Sequence, residues 1–126
     1  LLFQSGSSRI TAEANEVLGK VAMVVSDHSD LNLMVEGHTD NVPISNNCIK
    51  DNWDLSVKRA TAVVRALEEE HYVDPTRMIA AGRADKLPKA DNDSETGRSL
   101  NRRTEIVIMP RLDQFFQLLE PPVVAN

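Results

Sequence analysis

Two side chains of opposite charge stand out by where the chain places them. Asp40 follows Gly37-His38-Thr39 at the end of the apolar stretch LNLMVE, in which Leu31, Leu33 and Val35 fall on one face of a strand. In open α/β sheets, ligands sit beyond that carboxyl edge. Arg59 lies in a helical stretch from about Asp54 to Glu70. At about 100° per residue from Leu55, it falls near 40°, beside the arc of roughly 80–180° held by Val63, Leu67, Ala60 and Val64. Lys58 and Arg65 fall on the opposite side of the wheel, where charges meet solvent.

A guanidinium at a core edge must either carry its head to water on a packed stem or find an anionic partner. Asp40 is open to two roles as well. It can accept backbone amides as a turn aspartate, or it can hold a cation. If the helix packs on the sheet that ends at Asp40, the two groups face one pocket. That pair complements an amino-acid head group: the carboxylate takes the ammonium, and the arginine fork takes the carboxylate. Direct pairing of Asp40 with Arg59 as structure is the competing arrangement. A third group comes from the strand TEIVIM, in which Thr104, Ile106 and Ile108 share a face. The same phase run backward reaches Arg102, either as a second anion donor or as one half of a stabilising ion pair.

Other chemistry finds less support. His38 and Asp40 are two apart and have the look of metal ligands, but a third would have to come from His28 or His71, and no spacing brings either close. His38 is better used in hydrogen bonding within the turn. Neither a Ser-His nor a Cys-His arrangement is indicated. Cys48 is the only cysteine, which rules out an internal disulfide and a cysteine-based zinc site. The formal net charge of −5, with no basic cluster, argues against nucleic acid. No cofactor is implied.

These groups need a scaffold, and 126 residues with 41% hydrophobic and 26% charged suit one domain that can bury a core. No apolar run approaches the roughly 20 residues of a membrane span. The chain starts at Leu1 and shows no leader, so an export signal or anchor is expected outside it. Leu1 to Phe3 reads as the remnant of a first strand. Thr11 caps a helix whose apolar positions run from Ala14 to Val25. Gly37 to Asn52 is a long polar connection, of a length that is usually functional or mobile. Asn52 or Asp54 caps the second helix. Met78 to Ala81 is a short strand ending at Gly82, Leu87 to Leu100 is irregular, and Pro110 stops the last strand. Leu112, Phe115, Phe116 and Leu119 line a short terminal helix, so the expected division is a domain over 1–110 and a helix and tail over 111–126. The alternation favours an α+β fold with helices against a mixed sheet.

The stretches FQSGS (3–7), VEGHTDNVPI (35–44), NWDLSVKRATAVVRAL (52–67) and NRRTEIVI (101–108) together resemble the OmpA-like C-terminal domain. That family is shared by porin tails, peptidoglycan-associated lipoproteins and MotB-type stator proteins, and the GHTDN-P-I wording is closest to the MotB-like branch. The resemblance implies a β-α-β-α-β two-layer sandwich, with helices on one face of a mixed sheet. It implies non-covalent binding of peptidoglycan stem peptides at the free amino-acid centre of meso-diaminopimelate, in the periplasm, by a parent protein anchored in a membrane. Asp40 then matches the residue that holds the ligand ammonium and Arg59 the one that holds its carboxylate; Thr39, Asn52 and Arg102 match supporting positions. MotB-like relatives imply a homodimer. A protein-interaction module of an envelope or stator complex is the alternative. The chain departs from the pattern at Gly82-Arg83-Ala84-Asp85, where a glycine-aromatic-glycine-acid turn is usual, and in its long 41–52 segment.

Overall fold

Thr11 starts the first helix as its side chain promises: the hydroxyl accepts the Ala14 N–H at 3.2 Å, and α1 runs Ala12–Asp27. The computed structural model describes residues 10–110 and Leu119. The expected first strand remnant, the FQSGS stretch and, apart from Leu119, the terminal helix and tail lie outside the described residues.

Then come β1 (Leu31–Gly37), α2 (Asn52–Glu69), a 3₁₀ turn at Pro75–Arg77, β2 (Met78–Gly82), α3 (Glu95–Asn101) and β3 (Thr104–Pro110). The sheet order is β2-β1-β3. β1 runs parallel to β2, with Val35 opposite Ala80, and antiparallel to β3, with Val35 opposite Ile106. The sheet is therefore mixed, with β1 at its centre. The fold is α+β, as the alternation of patterns implies.

The core joins one face of β1 to α2 and α1. Leu33 and Val35 meet Ala60, Val63, Ala66 and Leu67 of α2, with Leu18, Ala22 and Val25 of α1 completing the cluster. Fully burying side chains of this size contributes about 1.5–3 kcal/mol each. Arg77 ties the end of α1 to the sheet by donating to the carbonyls of Val25, His28 and Leu31.

Three local expectations need correction. The second helix is capped by Asp51, not by Asn52 or Asp54: Asp51 Oδ1 accepts the Asp54 N–H at 2.9 Å, which leaves the Asn52 side chain for other work. The 87–100 stretch is not irregular throughout, because Ser94 caps α3 by accepting the Gly97 N–H at 3.0 Å. Arg102 is not the start of the last strand; it caps the carboxyl end of α3. Along β3 the phase holds for Ile106, which packs on the core, while Ile108 is exposed near the sheet edge.

Candidate functional site

Two glycines set the approach of α2 to the sheet. A Cβ on Gly37 would stand 2.1 Å from the Ser56 carbonyl oxygen, and one on Gly82 would stand 2.5 Å from Ser56 Oγ. Only glycine allows the helix this close to the carboxyl ends of β1 and β2. Ser56, fully buried, uses that closeness. Its hydroxyl donates to the Trp53 carbonyl at 2.9 Å and accepts the Ala84 N–H at 3.0 Å. Ala84 sits at φ 50, in the left-handed region that favours glycine. The turn after β1 is then fixed from both neighbours: His38 N–H donates to Arg103 O at 2.8 Å, and Thr39 N–H to Ala84 O at 2.9 Å.

This arrangement brings Asp40 over the amino-terminal half of α2. A cavity of about 280 Å³ opens there, and Thr39, Asp40, Asn52, Arg59 and Arg102 all line it. All five candidate residues therefore meet around one space. Leu55 and the Val42–Ile44 segment give it apolar walls, and Glu95 and Arg98 close it from α3.

Asp40 is 8% exposed and Arg59 3%. The Asp40 carboxylate accepts the Val42 N–H on Oδ1 at 3.0 Å and Arg102 Nη1 on Oδ2 at 2.7 Å. Thus Asp40 fills the turn role and faces the cavity as well. Thr39 donates its hydroxyl to the Asp40 carbonyl at 2.8 Å, and Asn52 Nδ2 donates to the carbonyls of Asp40 at 3.3 Å and Val42 at 3.1 Å. These two residues hold the turn, and the long connection after it, against α2. Arg102 Nη2 donates to Glu95 Oε1 at 2.5 Å.

Burial pushes the Arg59 guanidinium below its ordinary pKa; the Asp40 charge works against this, and the neighbouring Arg102 adds to it. Arg102 moves up, held charged by its hydrogen bonds to Asp40 and then Glu95. Glu95 moves down, chiefly through its hydrogen bond from Arg102. The site has a desolvated cation, a desolvated anion and open space beside both.

His38 goes elsewhere. Its ring is 1% exposed, and Nε2 lies 2.7 Å from Glu36 Oε1, not against Asp40. Ligating atoms of Glu36, His38 and Glu105 lie within 4.8 Å of one another. Arg83 Nε stands 3.3 Å from Glu36 Oε2, and Arg103 Nε donates to Glu105 Oε1 at 2.7 Å. Each carboxylate therefore has a protein cation already. His71 pairs with Asn15 at 2.9 Å, remote in sequence from the turn.

Sequence reasoning passed over Ser56, Glu95 and Arg98. The signals were present: glycines ending two strands mark a close backbone approach, and Ser94 followed by Glu95 is a helix start.

The family model described as OmpA family matches residues 2–102. Motility protein B of Bacillus subtilis (strain 168) is 35% identical over 111 residues, 88% of this chain and 42% of that protein. The chain thus spans less than half the length of that relative. The structure of the cell wall anchor of the T6SS from Pseudomonas aeruginosa matches with a TM-score of 0.76 at 36% identity, over 86% of this chain and 74% of that one. The crystal structure of the peptidoglycan-associated lipoprotein from Burkholderia pseudomallei matches with a TM-score of 0.76 at 27% identity, over 86% of this chain and 88% of that one.

Proposed function

The chain belongs to the OmpA family, and from that premise we propose that it binds peptidoglycan without turnover and so holds an envelope protein to the cell wall. The observation that carries this reading is the cavity lined by both Asp40 and Arg59, two buried groups of opposite charge. The ligand is a stem peptide, engaged at the free amino-acid centre of meso-diaminopimelate. Its ammonium meets Asp40 and its carboxylate meets Arg59, with Arg102 as a second donor. A carboxylate oxygen accepts more than one hydrogen bond, so the contacts from Val42 and Arg102 do not in themselves close Asp40 to an ammonium. The names of two structural neighbours, a cell wall anchor and a peptidoglycan-associated lipoprotein, support the reading.

The energetics suit an anchor. Charge-assisted bonds contribute about 1.5–3 kcal/mol each, and ordering the ligand offsets part of that. One peptide binds modestly, but the wall presents many, and a tethered protein gains effective concentration. The site of action is the periplasmic side of the envelope. Membrane attachment through the rest of the parent protein, and pairing with a second copy, belong to the same reading.

The test is retention on purified sacculi. Asp40→Ala and Arg59→Ala each lose retention, with far-ultraviolet circular dichroism unchanged. Calorimetry with a diaminopimelate-containing tripeptide gives heat with the unaltered chain and none with either variant. Full retention by both variants removes these residues from the mechanism. Release of soluble muropeptides would instead make the chain a hydrolase.

A further inference from the structure

The charged cavity has a neighbour of different character. A second hollow of about 490 Å³ shares Pro43, Ile44 and Asn52 with it as a common wall. Trp53 lines this hollow, and a shallower depression of about 380 Å³ continues from Trp53 to Val57 along α2. The indole is 51% exposed. A half-exposed indole at the meeting of two depressions is a flat apolar plate with one polar edge, the form that suits an amphipathic ring.

The groups around it differ from those of the first cavity. Lys50 and Lys86 are matched by Asp51 and Asp85, so the formal charges cancel, and Asn41 and Ser45 add neutral donors and acceptors. Arginine forks dominate the first cavity and are absent from this lining. A zwitterion fits the first; a neutral ring with hydroxyl and amide groups on its edge fits the second.

We propose that this hollow is a saccharide subsite, in which the Trp53 indole stacks on the C–H face of an N-acetylated sugar of the same polymer whose peptide enters the Asp40–Arg59 cavity. The inference rests on the peptidoglycan reading of that cavity. The shared wall gives it a physical basis: the peptide is borne on a glycan, and a ligand running past Pro43 and Ile44 passes from one space into the other.

Trp53 is the only tryptophan in the chain, so its fluorescence reports this site alone. The probes are glycan strands stripped of peptide by an amidase, tri-N-acetylchitotriose, and a diaminopimelate tripeptide. Stripped glycan and the trisaccharide shift the emission of the unaltered chain and of Asp40→Ala alike. Trp53→Ala, checked for fold by circular dichroism, loses roughly tenfold in sacculus affinity but keeps the tripeptide; Trp53→Phe recovers part of the loss. Sugar binding without tripeptide binding in the unaltered chain would overturn the cavity reading and leave the subsite standing. Emission unmoved by glycan, with sacculus affinity unchanged in Trp53→Ala, overturns the subsite. So does a shift produced by the tripeptide alone, which would seat peptide on Trp53, or protein capture through Trp53 with no response to sugar.

Discussion

One turn separates two charged groups of nearly the same make-up. On one side, Glu36 and Glu105 meet Arg83 and Arg103 around His38. On the other, Asp40 and Glu95 meet Arg102, with Arg59 beside them. The first has two acids and two arginines, the second two acids and three arginines, since Arg98 also lines the cavity and pairs with Glu95. The first closes on a histidine ring that is 1% exposed; the second surrounds about 280 Å³ of open space. Residue types alone therefore do not separate a brace from a binding site. Charges pair with one another in both; what separates the two is whether the paired charges also border a volume that a ligand can fill.

The sharpest way to break this comparison is Arg59→Met. Methionine keeps most of the volume but takes the cation from beside Asp40, and removing one member of a buried charged group costs stability. Affinity for a diaminopimelate tripeptide falls by about a hundredfold, the equivalent of one strong charge-assisted bond, while the urea midpoint falls only modestly because Asp40 keeps its 2.7 Å bond from Arg102. A large fall in the midpoint with affinity retained would make Arg59 part of the brace.

Glu36→Ala is the reverse experiment. It leaves the buried His38 ring without its 2.7 Å partner and Arg83 without its anion. Unfolding free energy falls by about 2 kcal/mol, and tripeptide affinity of the folded protein is unchanged. A tenfold loss of affinity at constant stability would move the cluster into the binding machinery.

Asn52→Ala acts on the wall of the cavity. It removes the side-chain bonds to the carbonyls of Asp40 and Val42, so the connection after β1 is less firmly held. Affinity falls roughly fivefold, as expected for neutral hydrogen bonds of about 1 kcal/mol, and calorimetry shows a larger entropic penalty on binding.

How much of this the sequence disclosed follows from periodicity. Arg59 was legible because a helix wheel registers any charge on an apolar arc, and it is buried among Leu55, Ala60 and Val63. Asp40 was legible because a strand pattern ends just before it. Arg102 was directed to the right side by the wrong element, since its position comes from the end of α3 rather than from strand phase. The helix α3 escaped notice because its seven residues bury Gly97 and Asn101 rather than an apolar stripe. Gly97 is forced by contact, as a Cβ there would lie 1.6 Å from the Asp91 carbonyl oxygen. Asn101 accepts the N–H groups of Lys89 and Ala90 and donates to Ala90 O and Asn92 Oδ1. That hub shapes the loop which delivers Glu95 and Arg98, and no periodic pattern records it.

The smallest effect sharpens the comparison most finely, because each region holds one carboxyl below its ordinary range. Arg103 does so to Glu105 through a 2.7 Å hydrogen bond, and Arg102 does so to Glu95. A carboxyl with a depressed folded pKa stabilises the fold while it is ionised. That contribution is complete above the unfolded value of about 4.3 and is lost as pH falls through the folded pKa. Urea midpoints should therefore decline as pH drops below about 4.3, and Glu105→Gln flattens the decline without altering how tripeptide binding depends on pH. Glu95 is largely exposed, so solvent screens its share in stability. Its protonation instead frees one side of Arg102, loosening the hold on Asp40, and Glu95→Gln gives at neutral pH the two- to threefold weaker binding that the unaltered chain reaches only in acid. If the two variants exchange these behaviours, the distinction between brace and site fails at its most sensitive point.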